Sequence, residues 1–168
     1  RVLRHPYPMG NGAAVKAGIR AARGEVVALL DADGQHDPAD LPRLLEALGP
    51  EWAMVVGART SGQAGPHRAL ANRIYSALAS YVSGTAIPDL TSGFRALRSD
   101  YARACIPLMP QGSSSPTTLT MALLERGAFV SFLRLERAGD RRGGRSRISP
   151  LSDGLRFLRI LLRIGIAF

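Results

Sequence analysis

Glu25-Val26-Val27-Ala28-Leu29-Leu30-Asp31-Ala32-Asp33-Gly34-Gln35 is the stretch that decides the fold class of this chain. Five consecutive apolar residues, bounded before by Gly24-Glu25 and behind by a polar corner with Gly34, read as a strand buried on both faces. A buried strand cannot hold two carboxylates in its middle, so Asp31 and Asp33 belong at its carboxyl end, where open α/β sheets bind ligands. If the chain stays extended there, Asp31, Asp33 and Gln35 leave the same face and form a row of hard oxygen donors. Such a row suits Mg²⁺ or Mn²⁺ shared with substrate phosphates. The same residues also suit a solvated turn.

Outward from this strand, elements alternate. Upstream, Ala13 to Arg23 carries Ala14, Ala17, Gly18 and Ala21 at three- and four-residue steps, a helix with a small-residue face able to lie close against a sheet, stopped by Gly24. Downstream, Asp37-Pro38 or Asp40 with Pro42 starts a second helix, whose Leu41, Leu44, Leu45 and Leu48 supply a buried stripe. Ala53 to Val56 reads as another short buried strand ending in the corner Gly57-Ala58-Arg59. Helix, strand, helix, strand in short alternation predicts an α/β sheet with parallel strands. Thr60 to Pro66 is loop-like, Ala69 to Val82 has Leu70, Ile74, Leu78 and Tyr81 at helical spacing, and Asp89 to Arg98 reads as a turn feeding a short strand. Gly112 to Pro116 is a serine-rich loop, Thr117 to Arg126 a helix closed by Gly127, and Ala128 to Leu135 a strand.

The last segment differs in character. Gly139 to Ser149 sets Arg141, Arg142, Arg145 and Arg147 among glycines and reads as a mobile basic loop. Beyond it, Leu155, Leu158, Leu161, Leu162 and Ile166 alternate with Arg156, Arg159 and Arg163 at helical intervals. This amphipathic helix can dock on the domain or lie in a membrane interface. The division is thus 1–149 as a domain and 150–168 as a juxtamembrane helix. The prolines of Arg1 to Pro8 and the uncapped end at Phe168 read as those of an internal piece of a longer chain.

Composition narrows the class. A chain of 168 residues with 46% hydrophobic and 21% charged residues is globular and long enough for one core. Its net charge is +9, and Lys16 is the single lysine, so the positive charge is carried by arginine, the side chain suited to bidentate phosphate contacts. Cys105 stands alone, excludes an intrachain disulfide and reads as a small core residue. His5, His36 and His67 have no partner legible in the sequence and read as surface or structural groups.

Asn11 to Gly18, Asp31 to Pro38 (Asp-Ala-Asp-Gly-Gln-His-Asp-Pro), Gly57 to Arg59, Asp89 to Arg95 and Arg142 to Ile148 together resemble the family 2 glycosyltransferases. More narrowly they are similar to the dolichyl- or undecaprenyl-phosphate sugar synthases of the dolichyl-phosphate mannose synthase type. The resemblance implies a GT-A, Rossmann-like fold: a mostly parallel sheet flanked by helices, here incomplete at the amino end, where the family's opening strands have no counterpart. It implies an inverting, metal-dependent transfer of a hexose from a nucleotide-diphosphate sugar to a polyprenyl phosphate, at an anionic membrane surface on the cytoplasmic face. By motif, Asp31, Asp33 and Gln35 would hold Mg²⁺ or Mn²⁺ on the donor diphosphate. Arg59, and Arg68 with Asn72, would face the acceptor phosphate, and Asp89 would sit near the reacting sugar. Arg142, Ser146 and Arg147 match a loop that closes on the diphosphate, with Arg147 in place of the usual lysine.

Three other classes compete. Gly10-x-Gly12 with Asp31 some 20 residues on mimics a dinucleotide fingerprint, but Val15 stands at the third glycine and two prolines precede Gly10. The arginine cluster suggests a nucleic-acid module, yet aromatics are 6% and none is interleaved with the cluster, so no nucleic-acid partner is expected. A degenerate, non-catalytic transferase domain is opposed by the intact Asp-x-Asp.

Overall fold

The computed structural model describes residues 1–59, 66–112, 114–135 and 159, with the side chains of 66–69 left aside. The elements in chain order are α1 (Asn11–Ala21), β1 (Val26–Leu29), α2 (Leu41–Ala47), β2 (Met54–Arg59), α3 (Pro66–Ser83), β3 (Arg95–Arg98), α4 (Ser99–Cys105), α5 (Ser115–Glu125) and β4 (Val130–Leu135). A single 3₁₀ turn, Pro38–Asp40, leads into α2. There the Asp37 carboxylate accepts from the Ala39 N–H at 2.9 Å, the cap-then-proline start that the sequence predicts.

The strands form one sheet in the order β1-β3-β2-β4. β4 lies parallel to β2, whereas β3 runs antiparallel to both β1 and β2. Three strands of four therefore share one direction, and the fourth is inserted between two of them. This reversal brings the start of β3 to the carboxyl ends of β1 and β2: Arg95 is level with Leu29 on one side and Val56 on the other. Leu135, the last residue of β4, is level with Arg59.

Alternation along the strands divides the core in two. Met54, Val56, Leu97 and Val130 face a layer built by α1, α3, α4 and α5, with Ile19, Ala79, Ala102, Cys105, Leu119 and Leu123. Val55, Ala96, Phe94 and Leu135 face the α2 side, where Leu44 is completely buried. Burying a side chain such as Leu44 or Phe94 stabilises the fold by about 1.5–3 kcal/mol.

Several expectations change in three dimensions. Among the described residues β1 lies at the sheet edge and α2 packs on β2 and β3, so Val27 is buried on the opposite, helix-covered face while Ala28 is exposed and Leu30 keeps 41% of its surface; the strand is not buried on both faces. α1 covers Asn11–Ala21, not Ala13 to Arg23, and it turns Gly12, Ala13, Lys16 and Ile19 inward instead of its small-residue face. Ile19 and the stem of Lys16 offer more apolar area than Ala14 or Gly18, and the Lys16 ammonium ends on the Met109 carbonyl at 3.3 Å. In α2 only Leu44 is fully buried, and Leu45 remains 43% exposed. α4 follows β3 without a break, an element absent from the sequence reading. α3 does span Ala69 to Val82, but Leu70, Ile74, Leu78 and Tyr81 face outward, while Ser76 and Ala79 face the core.

The start of α1 also disposes of the dinucleotide reading. The Gly12 and Ala13 N–H groups donate to the carbonyls of Gly112 and Gln111 at 2.7 and 2.8 Å, so a protein loop takes the donors that a pyrophosphate would need. Gly12 is required for this approach, because a Cβ there would stand 2.1 Å from the Pro110 carbonyl oxygen. Among the described residues no helix is long and apolar enough to cross a membrane.

Candidate active site

Three chain segments meet at the edge where β1 and β2 end and β3 begins. The first, Asp31 to Gln35, leaves β1 as a turn instead of prolonging the strand, so the three side chains do not form the extended row expected of them. Asp33 caps its own turn, accepting from the Gln35 N–H at 3.2 Å. Asp31 lies over Gly93, where a Cβ would come within 2.0 Å of its Oδ2, and its Oδ1 accepts a long 3.5 Å contact from Asn11 Nδ2. Gly93 is thus the residue whose missing side chain makes room for the first carboxylate. Gln35 Oε1 faces Arg59, whose Nη1 donates to it at 3.5 Å.

The second and third segments are joined by an ion pair. Arg59, at the end of β2, donates from Nε to Asp89 Oδ2 at 2.8 Å and from Nη2 to Oδ1 at 3.1 Å, and its backbone N–H reaches Oδ2 at 3.2 Å. Asp89 also accepts from Asn72 Nδ2 at 3.3 Å and from the Thr91 N–H at 3.2 Å. Thr91 Oγ1 closes the ring, accepting from Arg59 Nη2 and donating to Asn72 Oδ1, each at 2.8 Å. Asp89 is 2% exposed. Burial raises its carboxyl, but the Arg59 hydrogen bond and charge outweigh that and hold it below the ordinary carboxylate range. Burial likewise works against the Arg59 cation, and Asp89 more than restores it. Both groups are therefore ionised at neutral pH. With its acceptors occupied in this way, Asp89 is a positioning group for Arg59, Asn72 and Thr91.

The loop carrying Asp89 is itself held from beneath. Arg95 is fully buried and donates to the carbonyls of Ser92 and Leu90 at 2.7 and 2.9 Å and to Thr120 Oγ1 at 2.7 Å. Among the described residues no carboxylate touches it, and burial pushes its guanidinium down to about 9, still protonated at neutral pH. Ser92 Oγ donates to the Gly57 carbonyl at 2.6 Å, stitching the β3 loop to the end of β2. His36 packs on Phe94 with ring centroids 5.3 Å apart. Its Nε2 lies 3.5 Å from Ser92 Oγ, and its buried Nδ1 has no hydrogen-bond partner among the described residues. Burial, then Arg59, lowers its pKa against the pull of Asp89, Asp31 and Asp33, so His36 is a neutral structural group in this neighbourhood.

Of the residues singled out by sequence, the structure brings together Asp31, Asp33, Gln35, Arg59, Asn72 and Asp89. The Arg68 side chain, the arginine loop with Arg142, Ser146 and Arg147, and all of the Leu155 to Phe168 helix except Arg159 lie outside the described residues. Thr91, Ser92, Gly93 and Arg95 were missed as contributors. Their signal was present as Asp-x-Thr-Ser-Gly, a run of side chains that hydrogen-bond their own backbone and so build a tight loop.

A pocket of about 340 Å³ opens beside Asp31 along the β1 edge, lined among others by Asn11, Ala14, Leu29, Gly93, Arg95 and Ser115. Ser115 Oγ is buried there without a hydrogen-bond partner among the described residues. For a divalent cation the protein offers the Asp31 and Asp33 carboxylates, and no set of three acidic, His or Cys side chains is grouped closely enough among the described residues to enclose one. Two carboxylates fit a hard cation that draws its remaining oxygens from substrate and water.

The Glycosyl transferase family 2 signature matches residues 1–105. The chain belongs to that family. Among curated members, an undecaprenyl-phosphate 4-deoxy-4-formamido-L-arabinose transferase of Pseudomonas fluorescens is 32% identical over 126 residues, covering 70% of this chain and 36% of the relative. The Pseudomonas aeruginosa transferase of the same name is 29% identical over 115 residues, covering 68% and 33%. This chain therefore spans about a third of those relatives. A crystal structure of glucosyl-3-phosphoglycerate synthase from Mycobacterium tuberculosis superposes with a TM-score of 0.67 at 19% identity, over 98% of this chain and 57% of that one. Another, holding Mn²⁺, uridine diphosphate and glucosyl-3-phosphoglycerate, gives 0.64 at 20% identity, with 98% and 57% covered. At such identity the likeness establishes the GT-A fold. The sheet described above is its mixed α/β core, flanked by helices as the sequence predicted.

Proposed function

We propose that this family 2 domain transfers a hexose from a nucleotide-diphosphate sugar to a polyprenyl phosphate. The observation that carries the reading is the Arg59 cluster beside the Asp31-Asp33 turn: a cationic and an anionic half-site at one sheet edge. Asp89 orients Arg59 through two short bonds, while among the described residues Arg59 Nη1 makes only the 3.5 Å contact with Gln35. That nitrogen is the donor left for an acceptor phosphate, with Asn72 and Arg68 on the following helix as further donors. An acceptor phosphate is already ionised near neutral pH, so it needs orientation more than a general base. Asp89, ionised and enclosed, suits this division by holding Arg59 in place and taking no proton.

On the donor side, Asp31 and Asp33 would hold Mg²⁺ or Mn²⁺. When bound, such a cation neutralises the charge that grows on the leaving diphosphate. Gln35, turned toward Arg59, serves the acceptor half instead. Arg142, Ser146 and Arg147 would close on the diphosphate, as the family resemblance implies. Inversion at the sugar, residence at the cytoplasmic face and the division at residue 149 belong to the same proposal.

The test is calorimetric titration of Mn²⁺ into the full chain with and without UDP or GDP, paired with transfer assays on undecaprenyl phosphate. Asp33→Asn should abolish metal-dependent nucleotide binding, and Arg59→Met should spare that binding while ending transfer. Nucleotide binding that ignores both Mn²⁺ and Asp33→Asn would overturn the reading.

A further inference from the structure

Asp89, held ionised, can only accept, and this settles the direction of the hydrogen bonds around it. The Asn72 amide must turn its nitrogen to the carboxylate, Nδ2 lying 3.3 Å from Oδ1, so its carbonyl faces Thr91. The one hydroxyl proton of Thr91 goes to Asn72 Oδ1 at 2.8 Å in preference to Asp89 Oδ1 at 3.3 Å, and its lone pairs take a hydrogen of Arg59 Nη2 at 2.8 Å. Each acceptor of the ring, both Asp89 oxygens, Thr91 Oγ1 and Asn72 Oδ1, thus receives a hydrogen from within it. Among the described residues the ring therefore presents outward N–H groups alone: Arg59 Nη1, beyond its long contact with Gln35, and the second hydrogen of Asn72 Nδ2.

Thr91 closes this arrangement with a single oxygen, and its backbone does not depend on that oxygen. Arg95 holds the carbonyls on either side of it, Leu90 at 2.9 Å and Ser92 at 2.7 Å. The N–H groups of Leu90 and Thr91 donate to Ser76 Oγ and Asp89 Oδ1, each at 3.2 Å. The loop is therefore anchored to the buried layer, and through Ser76 to α3, the helix that carries Asn72, by groups other than the Thr91 hydroxyl. Thr91 is itself exposed, so it has no part in the core and water can take over the stabilising share of its bonds. What water cannot supply is the fixed link between a guanidinium at the end of β2 and an amide on α3.

We propose that Thr91 is a positioning residue for the acceptor: its hydroxyl occupies the Asn72 carbonyl and the Nη2 edge of Arg59, so that N–H donors alone meet an acceptor phosphate. This rests on the proposed transfer to a polyprenyl phosphate and deepens it. A surface of donors fits the unprotonated oxygens of a phosphate monoester and offers nothing to a hydroxyl acceptor, which would need a group to take its proton. Without the Thr91 hydroxyl the Asn72 carbonyl loses its donor and the guanidinium loses one of the bonds that fix its plane. Both outward donors then range over several positions, and an oriented acceptor becomes a loosely held one.

The experiment measures calorimetric binding of a water-soluble short-chain prenyl phosphate, with Mn²⁺ and UDP or GDP present, to the full chain and to Thr91→Val and Thr91→Ser, together with transfer kinetics on the same acceptor. Thr91→Val should weaken prenyl-phosphate binding and raise the acceptor KM about tenfold, the loss expected for one hydrogen bond to a charged group. Mn²⁺-dependent nucleotide affinity, the donor KM and the unfolding temperature should stay at wild-type values. Thr91→Ser should restore the acceptor values. In an Asn72→Ala background the same Thr91→Val change should cost about threefold or less, because the two residues act as a unit. Acceptor binding that ignores Thr91→Val, a Thr91→Ser chain as weak as Thr91→Val, or a full tenfold cost in the Asn72→Ala background overturns the inference. So does a parallel loss of nucleotide affinity or of the fold in Thr91→Val, which gives the hydroxyl a general structural role. Prenyl-phosphate binding with the expected dependences but without transfer supports the assignment of Thr91 and counts against the reaction.

Discussion

Asp89→Asn tests the centre of the cluster. The carboxylate accepts from Arg59 at 2.8, 3.1 and 3.2 Å and from Asn72 and Thr91 at 3.3 and 3.2 Å, and it is 2% exposed. An amide keeps the volume but turns one acceptor into a donor facing the guanidinium, and it leaves Arg59 without its counter-ion. Removing one partner of a buried pair costs about 3–5 kcal/mol. The Arg59 side chain retains 21% exposure, and water recovers part of that, so the expected loss is about 2–3 kcal/mol. At roughly 2–4 °C per kcal/mol for a domain of this size, thermal unfolding should fall by roughly 4–12 °C at neutral pH. The gap should depend on pH with a definite sign. Because the folded carboxyl lies below its ordinary value of ~3.9, the pair contributes fully above that value and loses its contribution as pH falls through the depressed one. Melting curves of both chains from pH 7 into acid should therefore converge. A variant that melts with the wild type at pH 7, or a gap that stays constant into acid, would refute the assignment of Asp89 as the structural anchor of Arg59.

Other substitutions probe the surroundings. Gly93→Ala places a Cβ 2.0 Å from Asp31 Oδ2 and must displace that carboxylate, so Mn²⁺-dependent nucleotide affinity should fall about 10–100-fold in calorimetry while the fold survives. His36 has its pKa lowered by burial, so its contribution to stability is whole above about pH 6.5 and is lost as the solution becomes more acidic. His36→Phe should flatten that acid slope in urea titrations at pH 7 and 5, and an unchanged slope would exclude His36 as its source. Burial holds the Cys105 thiol at about 11, so the native chain should resist alkylation at pH 8 and react only when unfolded.

What the sequence determined by itself was local. The apolar run from Val26 to Leu30 and the corner that follows placed Asp31 and Asp33 at a strand end, and Asp37-Pro38 marked a helix start. Of the later elements, α3, β3, α5 and β4 follow from periodicity and punctuation, because hydrophobic spacing and turn chemistry act within a few residues, whereas α4 was not legible. The family motifs are local strings as well. Tertiary structure decided the rest. Arg59 and Asp89 are 30 residues apart, and only the insertion of β3 antiparallel between β1 and β2 sets the Asp89 loop against the end of β2. The face of α1 that is buried, the outward stripe of α3 and a fully buried Arg95 were equally beyond reach. A residue's own propensity says which element it joins, whereas strand order and the packing of neighbouring layers decide what that element faces and which distant group answers its charge.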